Sequence, residues 1–120
     1  MNKQLELGKL GEKLAADLLR EKGYSILAQN YFFGKAEVDI VAQIDNQLVF
    51  VEVKTRESSY LSDPEYTVSM KKQRLIIKAS DAYVKEHDLD LESRFDIITV
   101  IINNQYKKLD HLEGAFFPTV

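Results

Sequence analysis

A glutamate and a lysine interrupt what otherwise reads as a buried strand. The segment Leu48-Val49-Phe50-Val51-Glu52-Val53-Lys54 is apolar on both faces until Glu52, as expected of a central strand covered on both sides. With side chains alternating, Val49, Val51 and Val53 face one way, and Leu48, Phe50, Glu52 and Lys54 face the other. Burying such charges is costly unless they are paired or bound to a metal. The preceding segment supplies a partner. Asp45-Asn46 suits a two-residue hairpin turn, because both residue types tolerate positive φ. In that register Ile44 pairs with Gln47, Asp39 falls opposite Glu52, and Glu37 falls opposite Lys54. Directly opposed side chains have Cβ atoms about 4.5–5.5 Å apart. Two carboxylates at that distance repel each other unless a divalent cation sits between them. A slip of one residue would instead turn Asp39 to the other face.

A third carboxylate comes from the N-terminal segment. At helical periodicity Glu6, Lys9, Lys13 and Asp17 share a polar arc, whereas Glu12 falls between Leu5 and Leu19 at the flank of the apolar arc and points towards the sheet. Gly8 and Gly11 lie on that apolar side, where they would permit close helix–sheet contact. The chain has no cysteine and only two histidines, His87 and His111. Disulfides, thiolate nucleophiles and cysteine-bound zinc are therefore excluded. Any metal must be held mainly by oxygen, which selects Mg2+ or Mn2+.

The elements that must position these residues can be read from periodicity and punctuation. A helix is predicted over residues 4–22, capped by Gly23. Strands follow at 24–33, 36–43 and 47–55, and then a polar loop at 56–66 containing Pro64. A second helix covers 67–86, with Leu75, Ile76, Ala79, Ala82 and Tyr83 at helical spacing. Strands at 95–102 and 106–111 close the chain. The order αβββαββ predicts an α/β fold with a mixed sheet flanked by helices.

At 120 residues the chain suits a single domain spanning 1–120. There is no apolar run of membrane-spanning length. Lys3, Glu6 and Lys9 among the first leucines break any secretory pattern, so a cytoplasmic protein away from membranes is expected. The formal charge is −3, from nineteen acids and sixteen bases. A positive excess is commoner in nucleic-acid binders, but setting Glu12, Asp39 and Glu52 aside as metal ligands leaves the remaining charges balanced.

The ordered set Gly8-x-x-Gly11-Glu12, Glu37-Val38-Asp39-Ile40-Val41, Val49-Phe50-Val51-Glu52-Val53-Lys54-Thr55-Arg56 and Arg94-Phe95-Asp96 closely resembles the YraN-like family of predicted endonucleases. That family is related to archaeal Holliday-junction resolvases and carries the PD-(D/E)XK nuclease signature. The resemblance spans nearly the whole chain, to Ala115-Phe116. One departure is Ala36, where the family usually has glycine; alanine is tolerated unless positive φ is required. The resemblance implies a restriction-endonuclease-like fold with an αβββαβ core. Together with the chemistry above, it implies metal-dependent phosphodiester hydrolysis of nucleic acid, with DNA or a branched junction as the expected substrate. Asp39 and Glu52 would bind Mg2+ or Mn2+, with Glu12 acting directly or through water and the carbonyl of Val53 as a further ligand. The metal would lower the pKa of a water and offset phosphate charge. Lys54 would orient that water or stabilise the developing negative charge. Arg56, Lys71, Lys72, Arg74 and Lys78 are the implied phosphate contacts.

Plainer readings accompany each of these. The strand pattern alone equally suits a half-exposed edge strand on which Glu52 and Lys54 pair and Asp39 is simply solvated, and Glu12 could form a surface ion pair. The basic residues of the second helix could be a solvated face. His87, among acids, is expected at the surface. Asp96 suits pairing with Arg94, and Tyr31, Phe32 and Phe33 suit packing more than base stacking. Two other functions compete with the nuclease: a non-catalytic nucleic-acid-binding module, and a protein-interaction subunit. In the latter, Ala115-Phe116-Phe117-Pro118 would anchor a partner or a second copy in a homodimer.

Overall fold

The computed structural model describes residues 3–57 and 68–118. The N-terminal helix α1 (Lys3–Glu21) ends where Gly23 adopts φ +94°, with its N–H bonded to the carbonyl of Arg20. Strands β1 (Ser25–Phe33), β2 (Ala36–Ile44) and β3 (Gln47–Arg56) follow as two successive hairpins. Helix α2 (Met70–Glu86) precedes β4 (Glu92–Ile102) and β5 (Lys107–Phe116). The strands form one sheet in the order β1-β2-β3-β4-β5. The β3–β4 pair is parallel and the other three are antiparallel. The fold is therefore the expected mixed α/β sheet flanked by two helices. Most of the expected polar loop at 56–66, Pro64 included, lies outside the described residues. No described helix is long and apolar enough to cross a membrane.

The central strand explains the apolar run. Leu48 and Phe50 pack with Ile76, Ala79 and Tyr83 of α2 on one face of the sheet, and Val49 and Val51 pack with Ala15, Ala16 and others of α1 on the opposite face. The β2–β3 turn has the predicted register, Ile44 pairing with Gln47, with Asp45 at φ +50°. Asn46 completes the two-residue turn.

Gly11 meets the sheet more closely than any side chain would allow: a Cβ there would lie 1.9 Å from Thr55 Oγ1. Gly8 corrects the expectation, since a Cβ built on it meets nothing within 4 Å among the described residues. It sits a turn before Gly11, where α1 no longer touches the strands this tightly. Ala36 has no positive φ; Gly34, two residues earlier in the turn, carries it instead at +60°. The departure from the family's glycine is thus sterically harmless. His87 is exposed at the C-terminus of α2, its ring stacked on Tyr83.

Candidate active site

The β2–β3 ladder runs from Ile44↔Gln47 to Ile40↔Val51 and stops there. Had it continued, Asp39 would face Glu52 as a regular rung and Glu37 would face Lys54. Instead the strands part at Asp39, whose Oδ2 accepts a hydrogen bond from the Val53 N–H at 2.7 Å and so replaces the lost backbone rung. The alternation of β2 breaks at the same point. Val38 packs on the α2 side of the sheet, whereas Ile40 packs on the α1 side. On β1 the matching irregularity is Asn30, at φ +53°, between the pairs Gln29↔Ile40 and Tyr31↔Val38.

This splayed end of the sheet gathers the acids. Asp39 and Glu52 are both buried, at 7% and 5% exposure. They line a cleft of about 310 Å3 together with Glu37, Ser69, Lys71 and Lys72. Burial first, and the charge of Glu52 second, push the Asp39 carboxyl up to about 8, against the pull of the Val53 N–H; Glu12 and Glu37 add to the rise. Glu52 Oε1 is ion-paired with Lys72 Nζ at 2.7 Å, while Glu52 Oε2 is buried and has no hydrogen-bond partner among the described residues.

Glu12 stands beside this pair. Asn30 Nδ2 donates to Glu12 Oε1 at 2.9 Å and to Glu37 Oε2 at 3.0 Å, tying α1 to β2. Glu12 itself lines a different recess with Lys9, Lys13 and Asn30. Lys54, half-buried, follows Glu52 by two residues on a regular stretch of β3 and so shares its strand face. Val53, implied as a ligand through its carbonyl, meets Asp39 through its N–H. Among the described residues no group of three or more Asp, Glu, His or Cys side chains forms a set that could hold a metal ion. The carboxylates of the cleft act as a buried pair, with Glu12 and Glu37 at its margin.

The basic residues of the second helix divide. Lys71 and Lys72 border the acid cleft, whereas Arg74 and Lys78 line a larger groove with Ile77, Asp81, Ser93 and Pro118. Arg56 lines a third recess with Lys3, Gly8 and Glu57. Helix α2 also presents its N-terminus to the acids: Ser69 Oγ accepts from the Lys72 N–H, and Ser69 itself lines the cleft. The positive end of the helix dipole favours negative charge there.

With this geometry in place, the comparison with known proteins is informative. Residues 11–100 match the model of a family described as "Uncharacterised protein family UPF0102". The chain belongs to the UPF0102 family. A UPF0102 protein of Flavobacterium psychrophilum is 50% identical over 112 residues, covering 93% of this chain and 94% of that one. Another, from Phocaeicola vulgatus, is 45% identical over 115 residues, covering 96% and 95%. The matched segment of this UPF0102 chain contains Glu12, Asn30, Asp39, Glu52, Lys54 and Lys72.

At this cleft of the UPF0102 chain, three residues take places that sequence reasoning does not foresee. Asn30 gave no motif signal; asparagine's tolerance of positive φ in mid-strand is the only clue it offers. Glu37 reads from the sequence only as a strand neighbour of Lys54. Lys72, one of the implied phosphate contacts, is ion-paired with Glu52, a partner no sequence pattern announces. Asp96, by contrast, is structural as expected. It is fully buried and accepts two hydrogen bonds from Arg94, one from the Gly114 N–H, and one across 2.7 Å from His111 Nε2. Burial works to raise its pKa, but His111, Arg94 and Gly114 outweigh it and hold the carboxyl below the usual range.

Proposed function

We propose that this chain is a metal-dependent nuclease of the restriction-endonuclease-like superfamily, hydrolysing phosphodiester bonds in DNA, with Asp39, Glu52 and Lys54 at its centre. The observation that carries this reading is the buried Asp39–Glu52 pair, in which burial and the charge of Glu52 raise the Asp39 carboxyl and one Glu52 oxygen has no hydrogen-bond partner among the described residues. A divalent cation would satisfy that oxygen and relieve the repulsion. Two carboxylates are a sufficient protein share for Mg2+, which keeps several waters and takes further oxygens from substrate phosphates. The residues present therefore fit the ion, and Mn2+ suits the same oxygen donors.

When bound, the cation supplies Lewis acidity, which acidifies water and offsets charge building on the phosphate. The chain's own residues do the rest. Asp39 and Glu52 hold the cation, and the Val53 N–H fixes the Asp39 carboxylate in orientation. Glu12, held by Asn30, stands by to accept a proton or orient water. Lys54 stabilises the developing negative charge from the same strand face as Glu52. Lys71 and the α2 N-terminus draw the phosphate backbone towards the cleft.

The test is cleavage of branched and linear DNA with Mg2+ or Mn2+, comparing wild type with Asp39→Ala and Lys54→Ala. Both variants should retain the wild-type circular dichroism spectrum and lose cleavage by at least about a hundredfold. Unchanged cleavage in either would remove that residue from the chemistry. One observation favours a second reading, a metal-independent nucleic-acid-binding module: Lys72 already gives the acid pair a cation of its own. That module would bind DNA without metal, with affinity falling steeply as salt rises, and would cleave nothing.

A further inference from the structure

The position of Lys72 is unusual for a residue of an exposed helix face. Its N–H is fixed by the Ser69 cap, so its Cα cannot wander from the rim of the cleft. Its ammonium reaches inward to Glu52 Oε1 at 2.7 Å, yet the side chain is still 54% exposed. Lys72 lines one cleft with Glu37, Asp39 and Glu52. The ammonium thus sits among the same carboxylates proposed to hold a divalent ion, and its open side faces solvent.

We infer that Lys72 is a resident counter-ion of the acid cleft, which a divalent cation must displace and which, once displaced, swings out on its flexible stem to meet the substrate's phosphate. This inference rests on the proposed metal site and adds its regulation. Metal-free protein keeps Glu52 neutralised by Lys72; loading exchanges one cation for the other; the released lysine adds positive charge at the cleft mouth only when the site is loaded. A lysine suits this exchange better than an arginine, because its compact ammonium is a point charge on four rotatable carbons and not a fixed fork. An ammonium seated about nine times in ten lowers the apparent affinity of a competing ligand about tenfold.

Two measurements on the full chain test this. The first is calorimetric titration of Mn2+ into wild type, Lys72→Met and Asp39→Asn. Lys72→Met should bind Mn2+ about tenfold more tightly than wild type, and Asp39→Asn should lose binding. The second avoids the variant's folding altogether. Reductive methylation of wild-type amines, followed by mass spectrometry, should modify Lys72 about tenfold faster with saturating Mg2+ than without. The exposed Lys107 serves as an internal reference of constant rate. Equal or weaker Mn2+ binding by a folded Lys72→Met, or a Lys72 methylation rate indifferent to bound Mg2+, would overturn the exchange and leave the metal site standing. Absence of binding by both wild type and Lys72→Met would overturn the metal site, and the exchange with it.

Discussion

The Asp39 carboxyl carries a consequence that needs no substrate to observe. Its ordinary value is 3.8, and in the folded protein burial and Glu52 raise it to about 8. Between those values the native state holds a proton that the unfolded chain has released. Asp39 therefore contributes stability that is complete below 3.8 and is lost as pH rises through about 8. Urea melts of metal-free protein should give a lower unfolding free energy at pH 8 than at about pH 5. Asp39→Asn, which stays neutral throughout, should flatten that slope and gain stability at the higher pH. A variant with the wild-type slope would assign the titration to another group. The residue at the centre of the proposed chemistry is thus one whose charge the bare fold tolerates poorly.

At the scale of elements, the critical contact is between α1 and β3. Replacing a mid-helix glycine by alanine ordinarily stabilises a protein by about 0.5–1 kcal/mol. At Gly11 the sign should reverse, because the new Cβ would fall 1.9 Å from Thr55 Oγ1 and 2.8 Å from Thr55 Cβ. Thr55 cannot clear that space by rotating, since its own Cβ is part of the clash. Gly11→Ala should cost about 1–3 kcal/mol in thermal melts, and pairing it with Thr55→Gly should recover part of the loss. A stabilised Gly11→Ala would mean that α1 sits further from the sheet. The contact also bears on the site, since Glu12 follows Gly11 directly and Lys54 precedes Thr55: pushing the helix away would withdraw Glu12 from Asn30.

For the whole molecule, the C-terminal aromatic pair separates fold from assembly. Phe116 is buried at 7% exposure, its ring stacked on Phe95 with centroids 5.2 Å apart, and it closes the α2-side core. Its neighbour Phe117 is 69% exposed. Phe116→Ala should therefore destabilise by about 3–5 kcal/mol, whereas Phe117→Ser should change stability by no more than about 0.5 kcal/mol. Truncation after Gly114 would remove both residues and confound folding with association. Light scattering of Phe117→Ser is the cleaner test of a C-terminal homodimer contact: an unchanged mass would remove Phe117 from any such contact.

The elements were legible because each carries a local signal. Alternating and continuous apolar runs marked β3, helical spacing marked α2, Gly23 ended α1, and Asp45-Asn46 set the hairpin register through its tolerance of positive φ. That register in turn brought Asp39 to the level of Glu52 from the sequence alone. Three features depended on how distant segments meet. The ladder ends at Ile40 because Asp39 gives its carboxylate to the Val53 N–H, a choice between side chain and backbone that no strand periodicity encodes. Asn30 joins Glu12 to Glu37 only after α1 has packed across the sheet. Lys72 reaches Glu52 because α2 starts beside the splayed strands, so a lysine that reads as a solvated face becomes the partner of a buried acid. Local propensity is a property of neighbouring residues and determines elements and register. The pairing of buried charges depends on desolvation and on distances between segments far apart in the chain, and only the folded structure supplies both.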